Sequence, residues 1–214
     1  MKAALFDLDG VIVDTESQYT RFWTEVRDIF LPGNDHFPLQ IKGQTLTYIL
    51  SSFFPDEGVR QQICGLLRKF EENMTYQYIS GALAWVSRLS ESGVPTAIVT
   101  SSDKEKMSHL YKNHPSFDRL FTAIHTAEHD VRSKPAPDCY LSAADTLGVR
   151  PDECVVFEDS FNGVKAGKAS GAFVVGLATS NSKEDLLPYC DIVVEDFAAE
   201  NLIEIEELFP QLKK

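Results

Sequence analysis

A doubly wound, mostly parallel α/β sheet with an all-helical insertion after its first strand is the fold this sequence predicts. Three observations predict it. From about residue 81 onward, short apolar runs alternate with amphipathic stretches. The first apolar run, Ala3-Ala4-Leu5-Phe6, leads straight into two carboxylates, Asp7 and Asp9, beside Gly10. Residues 15–80 break the rhythm and contain no convincing buried strand.

The elements follow in order. Ala3 to Phe6 reads as a buried parallel strand, because it is apolar without alternation. In the insertion, amphipathic pieces at 17–30, 46–54 and 59–79 are interrupted by Pro32-Gly33-Asn34 and Pro55-Asp56. Residues 81–92 form a helix ended by Gly93, and 96–99 a strand. Residues 103–113 form a helix with Asp103 at its N-cap, and 121–124 a strand. Then come a helix at 137–147 stopped by Gly148, a strand at 154–157, and a helix at 162–170 ended by Gly171. Strands at 173–176 and 192–194 and a C-terminal helix at 198–209 complete the chain. The expected domains are therefore 1–14 with 81–214 as the core, and 15–80 as a helical cap.

Composition bounds the function. The 214 residues suffice for one good-sized core and a small second unit. Formal net charge is −12 and no basic run is present, which argues against nucleic acid or an anionic membrane as a partner. No apolar run approaches the ~20 residues of a membrane span. With Met1 and Lys2 leading directly into the first strand, no export signal is expected. Cys64, Cys139, Cys154 and Cys190 are scattered, which indicates neither a disulfide framework nor a zinc knuckle; a reduced cytoplasm fits. Oligomeric state is not written in the sequence, and a monomer is compatible with it.

Two acids beside a core strand repel each other and are costly to desolvate, so they take a cation or a proton between them, or else merely cap the strand and turn before Gly10. The C-terminal edge of a parallel strand is also where open α/β sheets put their ligands. Three later loops point to that same edge. Thr100-Ser101-Ser102 offers a hydroxyl and backbone N–H groups at a helix start, an anion site or a simple N-cap. Lys134 precedes Pro135 and Pro137, which stiffen the backbone that aims it; alone it also reads as a solvated surface lysine. Glu158-Asp159-Ser160 follows a strand and can complete a hard-metal site with Asp7, or cap the next helix. Together, each behind a strand, these are the parts for phosphoryl transfer through an acyl phosphate. His125-Thr126-Ala127-Glu128-His129 matches a zinc-peptidase string, but that chemistry needs a full helical turn, and here the string trails a strand.

FDLDGVIVDTE, VTSS, SKPAPD and FEDSFNGVKAG resemble the motifs of the haloacid dehalogenase superfamily, in the beta-phosphoglucomutase-like phosphatase branch with a helical cap. The likeness covers nearly the whole chain. It implies a Rossmann-like core and a helical cap, with Asp7 as nucleophile and Asp9 as general acid and base. It implies that Thr100, Ser101 and Lys134 hold the transferring phosphoryl group. It implies Mg²⁺ bound by Asp7, the Asp9 backbone carbonyl and Asp159, with help from Glu158. Magnesium suits an all-oxygen site. Thr15 and Glu16 at the hinge and Lys42-Gly43 match the branch's cap signature, with Gln44 beside them.

Within that superfamily, Asp9 argues against dehalogenation, since halide needs no leaving-group proton. In beta-phosphoglucomutase-like sequences a histidine stands where this chain has Tyr19. The arginine that grips the far phosphate of a bisphosphate is replaced by Leu46. A charge-assisted grip is worth ~1.5–3 kcal/mol. The expectation is therefore a phosphatase acting on a small phosphorylated metabolite, a sugar phosphate by preference. A phosphosugar mutase is the alternative, and a ligand-binding protein without catalysis the third reading.

Overall fold

The computed structural model describes residues 1–129, 132–198 and 202–213. Strand β1 (Ala3–Phe6) runs into a tight turn and the two-residue strand β2 (Val13–Asp14). Helices α1 (Glu16–Phe30), α2 (Phe37–Gln40), α3 (Leu46–Phe53) and α4 (Glu57–Glu71) follow. Strand β3 (Gln77–Tyr78) pairs antiparallel with β2. Alternation then resumes with α5 (Ala82–Glu91), β4 (Thr96–Val99), α6 (Lys104–Asn113) and β5 (Ala123–His125). The rest is α7 (Asp138–Thr146), β6 (Cys154–Glu158), α8 (Phe161–Ser170), β7 (Phe173–Leu177), α9 (Lys183–Leu186), β8 (Ile192–Val194) and α10 (Ile203–Glu206).

The main sheet has the order β5-β4-β1-β6-β7-β8, with every pairing parallel. From β1 the chain steps outward through β4 and β5, then returns to the other side of β1 as β6. The order thus reverses at β1, so a crevice opens beyond its C-terminal end, where Asp7 begins. Along β1 the side chains alternate: Ala4 and Phe6 join the apolar cluster with Trp85 and Leu110, while Ala3 and Leu5 join the one with Tyr140 and Val164. Helices therefore cover both faces, as a parallel sheet requires. Phe6 stacks on Phe157 with ring centroids 4.6 Å apart, an arrangement worth ~0.5–1.5 kcal/mol beyond burial, and this anchors the strand end that carries the acids.

The helices between β2 and β3 bury their own cluster, with Phe22, Trp23, Phe37, Ile49 and Ile63 at its centre. Thr45 and Asp56 cap α3 and α4 by accepting from Tyr48 N and Val59 N.

Several boundaries differ from the sequence reading. The expected helix 59–79 stops at Glu71. Asn73 Nδ2 donates to the Lys69 carbonyl, and Gln77 and Tyr78 leave helical conformation to pair with Asp14 and Val13. That ribbon was invisible locally, because its two halves are far apart in sequence. The strand expected at 121–124 lies instead at Ala123–His125, since Phe121 turns inward onto Phe6 and Phe117. The expected helix 198–209 is present among described residues only as α10; residues 199–201 lie outside them. His125 closes a strand and His129 a 3-10 turn, not the α-helix a zinc-peptidase string needs.

Candidate active site

The turn after β1 is tied by three backbone N–H groups, of Val11, Ile12 and Val13, that all donate to the Leu8 carbonyl. Gly10 sits there at φ +74°, and a Cβ on it would fall 2.2 Å from Asp159 Oδ2, so only glycine lets the first loop approach the acid behind β6.

Asp7 lies at the centre. Lys134, buried, donates its Nζ to Asp7 Oδ1 (2.8 Å), Glu158 Oε1 (2.7 Å) and the Val99 carbonyl (3.2 Å). Both Glu158 oxygens are fully engaged. Oε1 also accepts from Tyr140 OH (2.9 Å), and Oε2 accepts from Asp159 N, Ser160 N and Ser160 Oγ. A Cβ at position 163 would lie 1.6 Å from Glu158 Oε1, so Gly163 makes room for this carboxylate. Asp159 differs: its Oδ2 is buried without a hydrogen-bond partner.

Electrostatics follow from burial. Desolvation pushes the Asp7 carboxyl up to about 7; Lys134 opposes it, and the nearby Glu158 and Asp9 add to it. Desolvation raises Asp159 well above the carboxylate range, helped by Glu16, Glu158 and Asp7. Lys134 alone therefore does not offset the burial of Asp7. Asp7, Glu158 and Asp159 offer oxygens that all lie within 4.8 Å of one another. An all-oxygen donor set with an orphaned buried carboxylate oxygen fits a hard divalent cation such as Mg²⁺.

Asp9 stands apart from that cluster. Its Oδ1 accepts from Thr15 Oγ1, and its Oδ2 accepts from Ser102 Oγ (3.0 Å) and Lys106 Nζ (2.5 Å). The Lys106 ammonium also lies 4.3 Å from the Tyr19 ring centre, and Tyr19 OH donates to Glu71 Oε1 (2.7 Å).

Of the other sequence candidates, Thr100 is buried, and its Oγ1 accepts from Ser102 N (3.0 Å). Ser101 Oγ donates to the Gly43 carbonyl (2.8 Å). Gln44 Oε1 accepts from Ser133 Oγ (3.0 Å), which in turn accepts from Thr45 N. Asn162 Nδ2 donates to the Lys42 carbonyl (2.7 Å). Core side chains from two loops and the first turn of α8 thus hold the 42–45 segment. Lys42 pairs with Glu16 (3.2 Å). A cavity of about 110 Å³, open to solvent, is lined by Asp7, Asp9, Glu16, Tyr19, Lys42, Gly43, Gln44, Thr100, Ser101 and Asp159; Lys134 and Glu158 stand behind it.

Sequence reasoning missed Lys106 and Tyr140, and read Ser102 as part of the anion-site loop without its contact to Asp9. A signal existed for Lys106: it lies at i, i+4 with Leu110 on the apolar face of α6, an unusual place for a lysine. Nothing local marked Tyr140, whose neighbours on α7 are ordinary core residues.

The profile of the haloacid dehalogenase-like hydrolases matches residues 1–171. A probable pseudouridine-5'-phosphatase of Saccharomyces cerevisiae is 32% identical over 198 residues, covering 82% of this chain and 81% of its own length. A beta-phosphoglucomutase of Mycobacterium bovis is 29% identical over 237 residues, covering 92% and 90%. The crystal structure of a HAD hydrolase of family IA from Entamoeba histolytica superposes with TM-score 0.79 at 26% identity, over 100% of both chains. No helix among the described residues is long and apolar enough to cross a membrane. With its parallel sheet, acid-bearing first strand and this profile match, the chain belongs to the haloacid dehalogenase-like hydrolase family and is an enzyme of its phosphatase type.

Proposed function

We propose that this protein is a Mg²⁺-dependent phosphomonoester hydrolase of small phosphorylated metabolites that works through a phosphoryl group carried on Asp7. The observation that carries the reading is the buried contact of Lys134 with both Asp7 and Glu158, beside an Asp159 oxygen left without a partner. In the first step an Asp7 oxygen bonds to phosphorus as the phosphorus–alkoxide bond breaks, and Asp9 gives the leaving oxygen its proton. In the second, water attacks the same phosphorus while Asp9 takes its proton; the Asp7–phosphorus bond breaks, freeing phosphate and restoring both acids. Asp7, Asp159 and the Asp9 backbone carbonyl would hold the Mg²⁺, with Glu158, whose oxygens are already bonded, behind them; the ion would supply positive charge that keeps Asp7 ionised and neutralises phosphoryl oxygens. Thr100, Ser101 and Lys134 orient the phosphoryl group, and Thr15, Ser102 and Lys106 aim Asp9.

Residues 15–80 act as a cap domain over this centre, with 1–14 and 81–214 as the catalytic core. Glu16, Tyr19, Lys42, Gly43 and Gln44 face the leaving group and exclude water. Hydrolysis is favoured over mutase chemistry because Leu46 stands where a bisphosphate-gripping arginine would be needed. The cytoplasm is the compartment we assign, since the four cysteines are scattered in the sequence and indicate no disulfide framework.

The test is a screen of the purified protein, with and without Mg²⁺, against sugar phosphates, nucleotides and related esters, with Asp7→Asn as control. Magnesium-dependent phosphate release lost in Asp7→Asn supports the reading. Release that survives this substitution, or no release from any ester, rejects it.

A further inference from the structure

The cavity above Asp7 has two unlike halves. The half beside the core carries the acids and the phosphoryl-binding loops. The other half, contributed by the 15–80 segment, presents Trp23, Ile41, Leu46, Ile49 and Leu67. Four of these five are buried, so this wall is built into the cluster that folds the segment and cannot easily be rearranged.

The cations of this cavity are already committed. Among the described residues, only Lys42 and Lys106 line it as cations, and no arginine does. Lys42 is paired with Glu16, and Lys106 with Asp9. Diverting either ammonium to a second anion on the substrate leaves a half-buried carboxylate without its counter-charge, a costly exchange. Glu71, on the far side, adds a further acid that is already bonded to Tyr19.

Resting on the phosphatase reading above, we propose that the substrate is a monophosphate ester of an uncharged alcohol with an apolar face. That face lies against Trp23, Leu46, Ile49 and Leu67, and the reacting phosphoryl group is the only anion on the molecule. Bisphosphates and phosphate esters that carry a free carboxylate are rejected because no cation is spare. Tyr19 and Glu71, already bonded to each other, and Gln44 are polar groups that would meet the hydroxyls of such an alcohol.

The experiment compares kcat/KM, with Mg²⁺, for cyclohexyl phosphate, its 4-carboxylated counterpart and cyclohexane-1,4-diol bisphosphate. Acetyl phosphate, whose leaving group is too small to span the wall, reports phosphoryl transfer by itself. The expected result is a preference of about a hundredfold for cyclohexyl phosphate over either anionic ester. Trp23→Ala is expected to lower cyclohexyl phosphate turnover by about tenfold or more, and acetyl phosphate turnover by less. Should Trp23→Ala fail to fold, Leu46→Arg serves instead and is expected to raise bisphosphate kcat/KM at least about tenfold. Calorimetry on Asp7→Asn supplies a readout free of turnover, with cyclohexyl phosphate binding more tightly than its carboxylated counterpart. Hydrolysis of acetyl phosphate together with equal or faster turnover of the anionic esters overturns the substrate class and leaves the phosphatase reading intact. Absence of acetyl phosphate hydrolysis overturns both.

Discussion

Lys106 Nζ lies 2.5 Å from Asp9 Oδ2, although 97 residues separate the two in sequence. Helix α6 brings the ammonium to the acid from the side of the 100–102 loop, and Tyr19 of α1 covers it. Asp9 is thereby held by one lysine and two hydroxyls, in a single orientation. Lys106→Met removes the strongest of these restraints. Turnover of alkyl phosphates, whose leaving oxygen needs a proton, is expected to fall about tenfold or more, and that of acetyl phosphate to fall less. Equal losses on both substrates would assign Lys106 a purely structural role.

The proposed mechanism gives the two acids of the first loop different duties. Asp7→Asn is expected to abolish turnover while circular dichroism stays native. Asp9→Asn is expected to cost ~10²–10⁴-fold on alkyl phosphates, the usual contribution of a positioned acid and base. Near-normal rates in either variant would contradict these roles.

Protonation couples to stability. Asp7, pushed up to about 7 by burial, binds its proton more tightly in the folded chain than in the unfolded one, and Asp159 shifts the same way. Between about pH 4 and 7 the folded chain therefore holds more protons. The metal-free protein is expected to lose stability as pH rises through that window. Magnesium needs the ionised carboxylates, so its stabilisation grows in the same direction. Melting with and without Mg²⁺ at pH 5.5 and pH 8 checks both, and the metal-induced rise in Tm should be larger at pH 8.

On the proposed metal-binding role, Asp159 gives up stability for function. Its buried carboxylate meets Asp7, Glu158 and Glu16 with one oxygen unpartnered. Asp159→Asn is expected to raise the Tm of the metal-free protein while erasing the Mg²⁺-dependent shift and most activity. A lowered Tm without metal would show that the acid supports the fold.

Lys134 makes the opposite case. Its ammonium bridges two buried carboxylates at once. Lys134→Met leaves both unpaired and is expected to destabilise the protein by ~3–5 kcal/mol, read from urea unfolding. Adding Glu158→Gln should recover part of that loss, because one of the stranded charges is then gone.

Local pattern in the sequence determined a good deal. Apolar runs with turn residues between them located most strands and helices of the core. The order of acids, hydroxyls and lysine behind successive strands named the groups that meet at one sheet edge. Those features are local, set by backbone propensity and the period of burial. Only the tertiary structure decided which of those groups touch. It saturated Glu158 and left Asp159 Oδ2 alone; it swung Lys106 onto Asp9; it paired Val13 with Tyr78 to make the ribbon at the base of the insertion. Such contacts join segments tens of residues apart, and their energies come from the shared burial of charges whose partners no local window contains.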